Sequence, residues 1–283
     1  MPLALVTGAS TGIGRASALR LAAAGWTVLA GVRELAAGER LADECPSPGR
    51  IVPIRLDVTD SSDVLGVAER VRETAGASAD GGLDALVNNA GIGIGGPLEL
   101  ISVEDLRRQF DVNVFGQVAV TQALLPALRR TRGRIVFVSS IGGLVAMAFT
   151  APYAASKHAI EALADALRVE LRTSGVSVAL VEPGSVATPI WEKASAEAEA
   201  VEIPPELQRE YGSVPQAMAK TLRSTAERGI SPDAVAATIE RALDSPRMRA
   251  RYLVGRDAKA MLLVKRLLPD LVFDRLARRA LGV

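Results

Sequence analysis

Short apolar runs alternate along the chain with longer segments in which apolar residues recur every three or four positions. The short runs predict strands at residues 3–6, 27–32, 51–56, 83–87, 134–138, 176–181 and 251–254. The longer segments predict helices at about 13–24, 35–44, 61–74, 103–128 and 153–173. Apolar strands separated by helices form parallel sheets that are covered on both faces. The pattern therefore predicts an α/β fold, a doubly wound three-layer sandwich with about seven parallel strands.

The alternation runs without a convincing linker to about residue 185, which predicts one domain over residues 1–283. Loops are predicted at 46–49 and 76–82, where small, polar and proline residues cluster. Residues 190–230 are rich in Glu and Ala, contain three prolines and have no strand pattern. We interpret them as a helical insertion over the sheet. A basic extension follows at about 256–283.

Composition and charge exclude several classes of protein. The 283 residues carry 33 Lys and Arg against 32 Asp and Glu, and only 4% are aromatic, which argues against a nucleic-acid partner. One Cys and one His cannot form a disulfide framework or a multi-His metal site, so we expect no metal. The same cysteine usage favours a reducing, cytoplasmic location. The N-terminus lacks a signal-peptide pattern, and no apolar run is long enough to predict a transmembrane helix.

Glycine, polar or charged residues follow each of the first six strands, where ligands bind in a doubly wound sheet. A turn running from Gly8 to Gly14 follows the first strand, and Arg33 follows the second. The ends of the later strands carry Asp57 and Val58, Asn89, Ser140, and Pro183 with Gly184. The coincidence of these residues at one edge predicts a single ligand site.

The glycine turn has the properties of a phosphate-binding loop. Gly8 and Gly12 allow tight backbone paths, and Gly14 lets the following helix pack closely on the strand. The helix N-terminus then presents free N–H groups and the positive end of its dipole to an anion, and Ser10 and Thr11 add hydroxyl donors. The spacing Gly-x-x-x-Gly-x-Gly differs from the common dinucleotide pattern, and no P-loop lysine follows it.

The second strand ends in Val32-Arg33-Glu34. An NAD site usually places an acid here for the ribose 2′-hydroxyl, whereas an arginine accommodates the 2′-phosphate of NADP. Val32 offers no carboxylate, and Arg33 can form a forked pair with phosphate. We therefore predict NADP, with NAD as the alternative. A solvated surface charge is the other interpretation of Arg33.

Tyr153 and Lys157 lie four positions apart in a predicted helix and so share one face. A phenol with a pKa of about 10 is a poor acid–base group at neutral pH, and a nearby ammonium would lower that value. Ser140, at the end of the fifth strand, could hold the same substrate oxygen. A Tyr-x-x-x-Lys pair alone is usually a surface pair, so the glycine turn and the serine carry the catalytic interpretation.

These motifs together resemble the short-chain dehydrogenase/reductase family, over about residues 3–190. The matching motifs are Thr7-Gly8-x-x-x-Gly12-Ile13-Gly14, Asn88-Asn89-Ala90-Gly91, Asn113, Ser140, Tyr153-x-x-x-Lys157, and Pro183-Gly184 with Thr188. The resemblance implies a Rossmann-type fold and an oxidoreductase that transfers hydride between a nicotinamide cofactor and a secondary alcohol or ketone. It also implies a homodimer or homotetramer formed through the two long helices.

By this resemblance Tyr153 is the general acid/base, and Ser140, rather than the neighbouring Ser139, orients the substrate. Lys157 lowers the pKa of the tyrosine and binds the nicotinamide ribose. Asn113 holds a water molecule in a proton relay, although taken alone it would be a satisfied core amide. The residues that the resemblance assigns to the cofactor are Gly8, Ser10, Thr11, Gly12, Ile13, Gly14, Arg33, Asp57, Val58, Asn89, Tyr153, Lys157, Pro183, Gly184, Val186 and Thr188.

Apolar residues 141–149 follow the serine. If they line the pocket, the substrate is lipophilic, and if they pack inside they say nothing about it. Trp191 could cap the pocket or belong to the core. The insertion at 190–230 corresponds to the family's substrate lid. The Gly-Val-Arg end of the second strand and the C-terminal extension resemble the hydroxysteroid and retinol dehydrogenase branch.

Residues 247–283 carry ten Lys and Arg against three Asp, a local charge of +7. Leu263, Leu267 and Leu271 recur there at helical spacing. A basic amphipathic helix can lie on an anionic membrane, but an apolar stripe more often docks on its own domain or on a partner subunit. Three functions remain open: the oxidoreductase, a nucleotide-sensing regulator on the same fold, and a membrane-associated lipid-binding protein.

Overall fold

The computed structural model describes residues 1–45, 48–75 and 81–281, and its centre is one seven-stranded parallel sheet. The strands are β1 (Leu3–Thr7), β2 (Thr27–Val32), β3 (Arg50–Arg55), β4 (Ala85–Asn88), β5 (Arg134–Val138), β6 (Ser177–Pro183) and β7 (Arg251–Val254). Their order across the sheet is β3-β2-β1-β4-β5-β6-β7, and every neighbouring pair is parallel. The order reverses between β1 and β4, which opens a crevice at the carboxyl ends of these strands. The predicted doubly wound Rossmann-type fold is confirmed.

Helices cover both faces of the sheet. The helices in chain order are α1 (Gly12–Ala23), α2 (Leu35–Asp43), α3 (Ser61–Ala75), α4 (Val103–Phe110), α5 (Gln117–Thr131), α6 (Ala151–Glu170), α7 (Pro189–Glu199), α8 (Gln208–Tyr211), α9 (Val214–Arg228), α10 (Pro232–Asp244), α11 (Arg256–Leu267) and α12 (Asp270–Leu281). One apolar core joins the sheet to α1, α2 and α10, and a second joins its other face to α3, α5 and α6. Successive strand residues alternate between the two cores, as the period of a strand requires. The sequence pattern did not predict α10.

The helix predicted at 103–128 is not uniform. Residues Asp111–Gly116 form a π-helical turn between α4 and α5. At Gly116 the helix passes close to the loop that follows β3, and an added Cβ would lie 2.7 Å from a methyl carbon of Val58. Single π-helical turns inside helices occur often at functional sites. The prediction of a continuous α-helix there is therefore wrong, because hydrophobic periodicity alone cannot register one inserted residue.

Residues 189–228 form two packed helices, α7 and α9, with a short helical turn between them. Ala198, Val214 and Met218 form a small apolar core of their own, against which Phe149 packs. The predicted loops at 46–49 and 76–82 lie partly outside the described residues, at 46–47 and 76–80.

The C-terminal extension forms α11 and α12, joined at Pro269. Ala258 and Phe273 are buried, whereas Leu263, Leu267 and Leu271 are exposed. Of the two docking partners predicted for this stripe, its own domain and a partner subunit, the first is therefore wrong for these three leucines. None of the helices in the described ranges combines the length and apolar character needed to cross a bilayer.

Candidate active site

A cleft of about 280 Å³ opens at the carboxyl edge of the sheet. It gathers Ser140 and nearly all the residues predicted for the cofactor from six separate strand ends. The predicted residues that line it are Gly8, Ser10, Thr11, Gly12, Ile13, Arg33, Asp57, Val58, Asn89, Ser140, Tyr153, Lys157, Pro183, Gly184, Val186 and Thr188. The two remaining predicted residues, Gly14 and Asn113, do not line it.

The glycine turn is built as the sequence predicts. Gly8 and Gly12 have φ angles of +64° and +54°, which favour glycine. A Cβ added at Gly14 would lie 2.3 Å from the carbonyl oxygen of Gly8, so no side chain fits between α1 and the turn. Thr11 precedes α1 without a side-chain capping bond. The first N–H groups of α1 therefore have no such cap, as suits an anion-binding helix terminus.

Asn89 joins the ends of β1 and β4. Its side-chain amide donates to the carbonyl oxygens of Thr7, at 2.9 Å, and Gly8, at 3.1 Å. The hydroxyl of Thr7 in turn accepts from the backbone N–H groups of Asn89 and Ala90, each at 2.9 Å. Asn89 thus fixes the glycine turn in place from within the cleft wall.

A row of buried amides along the helix that contains the π-helical turn holds the opposite wall. Gln109, Asn113 and Gln117 are fully buried and occur at intervals of four residues. We call these three residues the amide row. Each binds the backbone of the segment that follows β4, with contacts of 2.7–3.0 Å to Ala90, Ile92 and Ile94. Gln109 and Gln117 were not predicted, although the four-residue spacing of the three amides was visible in the sequence.

Asn113, predicted to hold a relay water, contacts protein groups. Its oxygen accepts from the N–H of Ile92 at 2.8 Å, and its amide donates to the carbonyl of Ile92 and, at 3.1 Å, to the hydroxyl of Ser156. Ser156 donates at 2.7 Å to the carbonyl oxygen of Tyr153. Asn113 thereby couples the cleft wall to the helix of the tyrosine. The water relay stays a prediction.

Tyr153, Lys157 and Ser140 meet on one side of the cleft. The Lys157 ammonium, buried at 4% exposure, donates to the carbonyl oxygen of Val138 at 2.9 Å and lies 5.8 Å from the centre of the Tyr153 ring. Ser140 hydrogen-bonds the tyrosine and accepts from the N–H of Gly142 at 3.0 Å. The first two turns of α6 and the end of β5 therefore position the three groups.

The pKa of Tyr153 is shifted upward, opposite to the lowering that the sequence predicted. Burial raises the pKa of Tyr153 above its ordinary value, and the hydrogen bond from Ser140 opposes this rise. Burial lowers the pKa of Lys157 to about 8, while the negative charge of Glu161 acts in the opposite direction. The ammonium is directed at a backbone carbonyl, so desolvation outweighs its effect on the phenol. Tyr153 therefore holds its proton at neutral pH in this structure.

A charged cluster lies behind Lys157, with Glu161 and Glu182 buried and Arg251 and Asp165 partly exposed. Arg251 contacts Glu161 at 3.1 Å, Asp165 at 2.7 Å and Glu182 at 3.0 Å. Burial and the neighbouring Glu161 raise the pKa of Glu182 to about 7. The sequence offered no signal for this cluster, because its members come from α6, β6 and β7.

Apolar residues form the mouth of the cleft beside the tyrosine. Ile92, Pro189, Ile190 and Trp191 line it, and the Trp191 ring meets the Tyr153 ring edge-on, with centroids 6.2 Å apart. Trp191 is thus a cleft residue rather than a core residue. Residues 141–149 do not line this cleft.

A second depression of about 340 Å³ adjoins the end of β2. Arg33 lies in it together with Arg15 and Arg40, and with the carboxylates of Glu34 and Glu44. Arg15 forms an ion pair with Glu44. Arg15 and Arg40 were not predicted as site residues. Positions 37, 40, 41 and 44 line the depression at helical spacing, which was the available signal in α2.

Comparisons with known proteins agree with this geometry. The short chain dehydrogenase family model matches residues 2–199. The NADPH-dependent 3-dehydrocapnine reductase of Ornithobacterium rhinotracheale is 33% identical over 281 residues, covering 98% of this chain and 96% of that protein. Retinol dehydrogenase 5 of Mus musculus is 36% identical over 280 residues, covering 95% of this chain and 85% of that protein.

Among solved structures, a short chain dehydrogenase/reductase of Burkholderia phymatum in complex with NAD is similar over 94% of this chain and 92% of that chain. The TM-score is 0.79, at 27% sequence identity. The chain therefore belongs to the short-chain dehydrogenase/reductase family, whose enzymes are oxidoreductases acting on CH–OH groups.

Proposed function

We propose that this enzyme is an NADP-dependent oxidoreductase that interconverts a lipophilic secondary alcohol and the corresponding ketone. The observation that carries the cofactor proposal is the depression with three arginines, which adjoins the cleft at Arg33. The apolar mouth of the cleft supports the choice of substrate. The arrangement of Tyr153, Lys157 and Ser140 supports the reaction.

The residues present fit a dinucleotide. At Gly14, α1 packs so closely on the glycine turn that no Cβ fits between them. The uncapped start of α1 suits a pyrophosphate. Asp57 and Val58 line the cleft at the adenine end that the family pattern implies, and Val186 and Thr188 line it at the nicotinamide end. Asn89 keeps the turn between these two ends in position.

Arg33 and its neighbours favour NADP over NAD. The depression contains three guanidinium groups and two carboxylates, so its formal charge is positive. A guanidinium can bind a phosphate through two parallel hydrogen bonds, and a 2′-phosphate is the group by which NADP differs from NAD. Arg33 lines both the cleft and the depression, so it stands at the boundary where this phosphate would lie.

Tyr153 is the proposed proton donor to a ketone oxygen. Its hydroxyl keeps its proton at neutral pH because burial raises its pKa, and Ser140 can bind the same oxygen. The ammonium of Lys157, held at the Val138 carbonyl, stabilises the phenolate that remains after proton transfer. A bound nicotinamide supplies the hydride for the carbonyl carbon.

The apolar residues Ile92, Ile190 and Trp191 beside the tyrosine support a lipophilic substrate. Retinol dehydrogenase 5, one of the relatives, is named for such a compound. Apolar walls with few polar groups are typical of sites that bind apolar small molecules. The segment that carries Trp191 is the proposed substrate lid, since α7 begins at the mouth of the cleft.

We also propose that the protein forms a homodimer or homotetramer. Phe115, in the π-helical turn before α5, and Leu163, in the middle of α6, are exposed. Light scattering coupled to size exclusion measures the subunit number, and a monomer at all concentrations contradicts this proposal.

The functional proposal is tested by initial rates with NADPH and with NADH over ketones that range from small and polar to steroid-sized. We expect turnover with NADPH and the bulky apolar ketones. Preference for NADH contradicts the proposed cofactor. Turnover of small polar ketones alone contradicts the proposed lipophilic substrate.

A further inference from the structure

Large apolar side chains are exposed along the last two helices, α11 and α12. The exposed residues are Leu263, Val264, Leu267, Leu271, Val272 and Leu276. Two of them, Leu267 and Leu271, expose 70% and 75% of their surface. Single exposed leucines are normal, but a concentration of six within fourteen residues indicates a surface that another body covers.

Basic side chains are interspersed among these apolar residues. The exposed ones are Arg256, Lys259, Arg266, Arg275, Arg278 and Arg279. We call these six basic and six apolar residues the tail surface. Residues 256–281 contain seven lysines and arginines against three aspartates, a net charge of +4.

The tail surface belongs to a folded element. The Lys265 ammonium bonds Asp270 at 2.6 Å and lies 4.8 Å from the centre of the buried Phe273 ring. The Pro269 carbonyl accepts from the N–H of Val272 at 3.0 Å. These contacts fix the junction of the two helices, so the surface is formed in advance of any partner.

A second copy of this chain is a poor occupant of the tail surface. Self-association there would bring two surfaces of like charge together, which opposes binding. The exposed Phe115 and Leu163 offer a separate surface for oligomer formation. An anionic lipid bilayer, by contrast, complements both components, since its headgroups attract the arginines and its acyl region takes up the leucines.

We propose that the tail surface docks on an anionic lipid bilayer, with α11 and α12 lying in the interface and the rest of the protein outside it. Each basic residue near an anionic surface contributes attraction that depends on ionic strength, and the apolar side chains add burial. Long arginine side chains can keep their charge at the headgroups while their stems cover apolar surface.

The docked element is continuous with the cleft. Asp257, in the first turn of α11, accepts from the N–H of Ser185 at 2.7 Å, directly after the cleft residue Gly184. At its other end α12 packs against α9 of the proposed lid. A bilayer at the tail surface would therefore lie next to the segment that borders the apolar mouth.

The test is co-sedimentation of the 283-residue chain with phosphatidylcholine vesicles, with and without phosphatidylglycerol. Deleting the tail would remove Asp257 and Phe273 from their packing, so point variants of exposed residues are preferable. The apolar variant is Leu267→Ser with Leu271→Ser, and the basic variant is Arg275→Gln with Arg278→Gln. Their controls are Leu65→Ser and Arg107→Gln, exposed residues on α3 and α4.

We expect binding only to the vesicles that contain phosphatidylglycerol, weakened by salt. Each tail variant should bind at least about tenfold more weakly, and the controls should bind like the parent. Absence of binding, equal binding to pure phosphatidylcholine, or undiminished binding of the tail variants overturns the proposal. So does a tail variant that alters the subunit number instead of vesicle binding. The assay contains neither substrate nor cofactor, so its outcome is independent of the proposed reaction.

Discussion

The ammonium of Lys157 donates to the carbonyl oxygen of Val138 over 2.9 Å, from the second turn of α6 to the last residue of β5. This bond fixes a buried cation at the strand end that is followed by Ser139 and Ser140. Burial lowers the pKa of the lysine to about 8, and the carboxylate of Glu161, one turn further along α6, partly counteracts that shift. The active-site cation thus depends on a residue outside the cleft.

A pH dependence follows from this relationship. The ammonium is present below its pKa of about 8 and is lost as the pH rises through that value, so kcat/KM should decline on the alkaline side from about pH 8. Glu161→Gln removes the negative charge that favours the ammonium, and the alkaline limb should move to lower pH. Asp165→Asn is the matched control, because Asp165 also pairs with Arg251 but does not influence the Lys157 pKa. An unchanged limb in the glutamine variant contradicts the coupling.

The amide row should contribute to stability. Gln109→Leu removes the side-chain oxygen that accepts from the N–H of Ile94 at 2.7 Å. Leaving this partly buried donor unsatisfied should cost about 1–3 kcal/mol, so the free energy of unfolding should fall by that amount in urea titrations. Gln122→Leu, at an exposed position of α5, should change it by less than about 0.5 kcal/mol. Equal effects of the two substitutions would argue against the role of the row.

Two glycine substitutions should have opposite effects. At Gly14 the added Cβ of alanine would meet the Gly8 carbonyl oxygen at 2.3 Å, so either the turn or α1 must shift. We expect a stability loss of about 1–3 kcal/mol and weaker cofactor binding by fluorescence titration. At Gly66 in α3, no atom lies within 4 Å of the added Cβ, so Gly66→Ala should stabilise the protein by about 0.5–1 kcal/mol. A neutral Gly14→Ala variant contradicts the packing argument.

The cofactor proposal predicts an asymmetric effect of Arg33→Ala. Losing a charge-assisted bond to a phosphate should weaken NADPH binding about 10- to 100-fold, measured by fluorescence titration, and should leave NADH binding nearly unchanged. Arg107→Ala, on the exposed face of α4, should alter neither. Equal losses for both cofactors would contradict the assignment of Arg33 to the 2′-phosphate.

The fold was largely predictable because its signal is local. Seven apolar runs and the residues at their ends suffice to place the strands, and strands 27–32, 134–138 and 251–254 agree residue for residue with the structure. Strand β4 begins later than predicted because the N–H of Leu83 bonds the Ala127 carbonyl instead of the sheet. The π-helical turn was not predicted, because it changes the helical register by only one residue within an otherwise regular hydrophobic pattern.

The features of the site that were not predicted are formed by residues that lie far apart in the sequence. The cluster of Arg251 with Glu161 and Glu182 joins residues about 70 to 90 positions apart, which no local pattern reveals. The raised pKa of Tyr153 could not be foreseen either. Sequence spacing shows that Lys157 shares its helical face, but not that the ammonium is directed at a carbonyl oxygen. Conversely, the exposure of the leucine stripe in the tail depends on packing that periodicity cannot decide.

The most direct test of the catalytic proposal is the turnover of Tyr153→Phe. This variant removes the hydroxyl proton and keeps the ring that packs against Trp191, so cofactor binding should persist. We expect kcat for ketone reduction to fall by about 10²- to 10⁴-fold. Tyr211→Phe, which removes an exposed hydroxyl bonded to Glu99, should retain the parent rate. A Tyr153→Phe enzyme with full turnover would contradict the assignment of the proton donor.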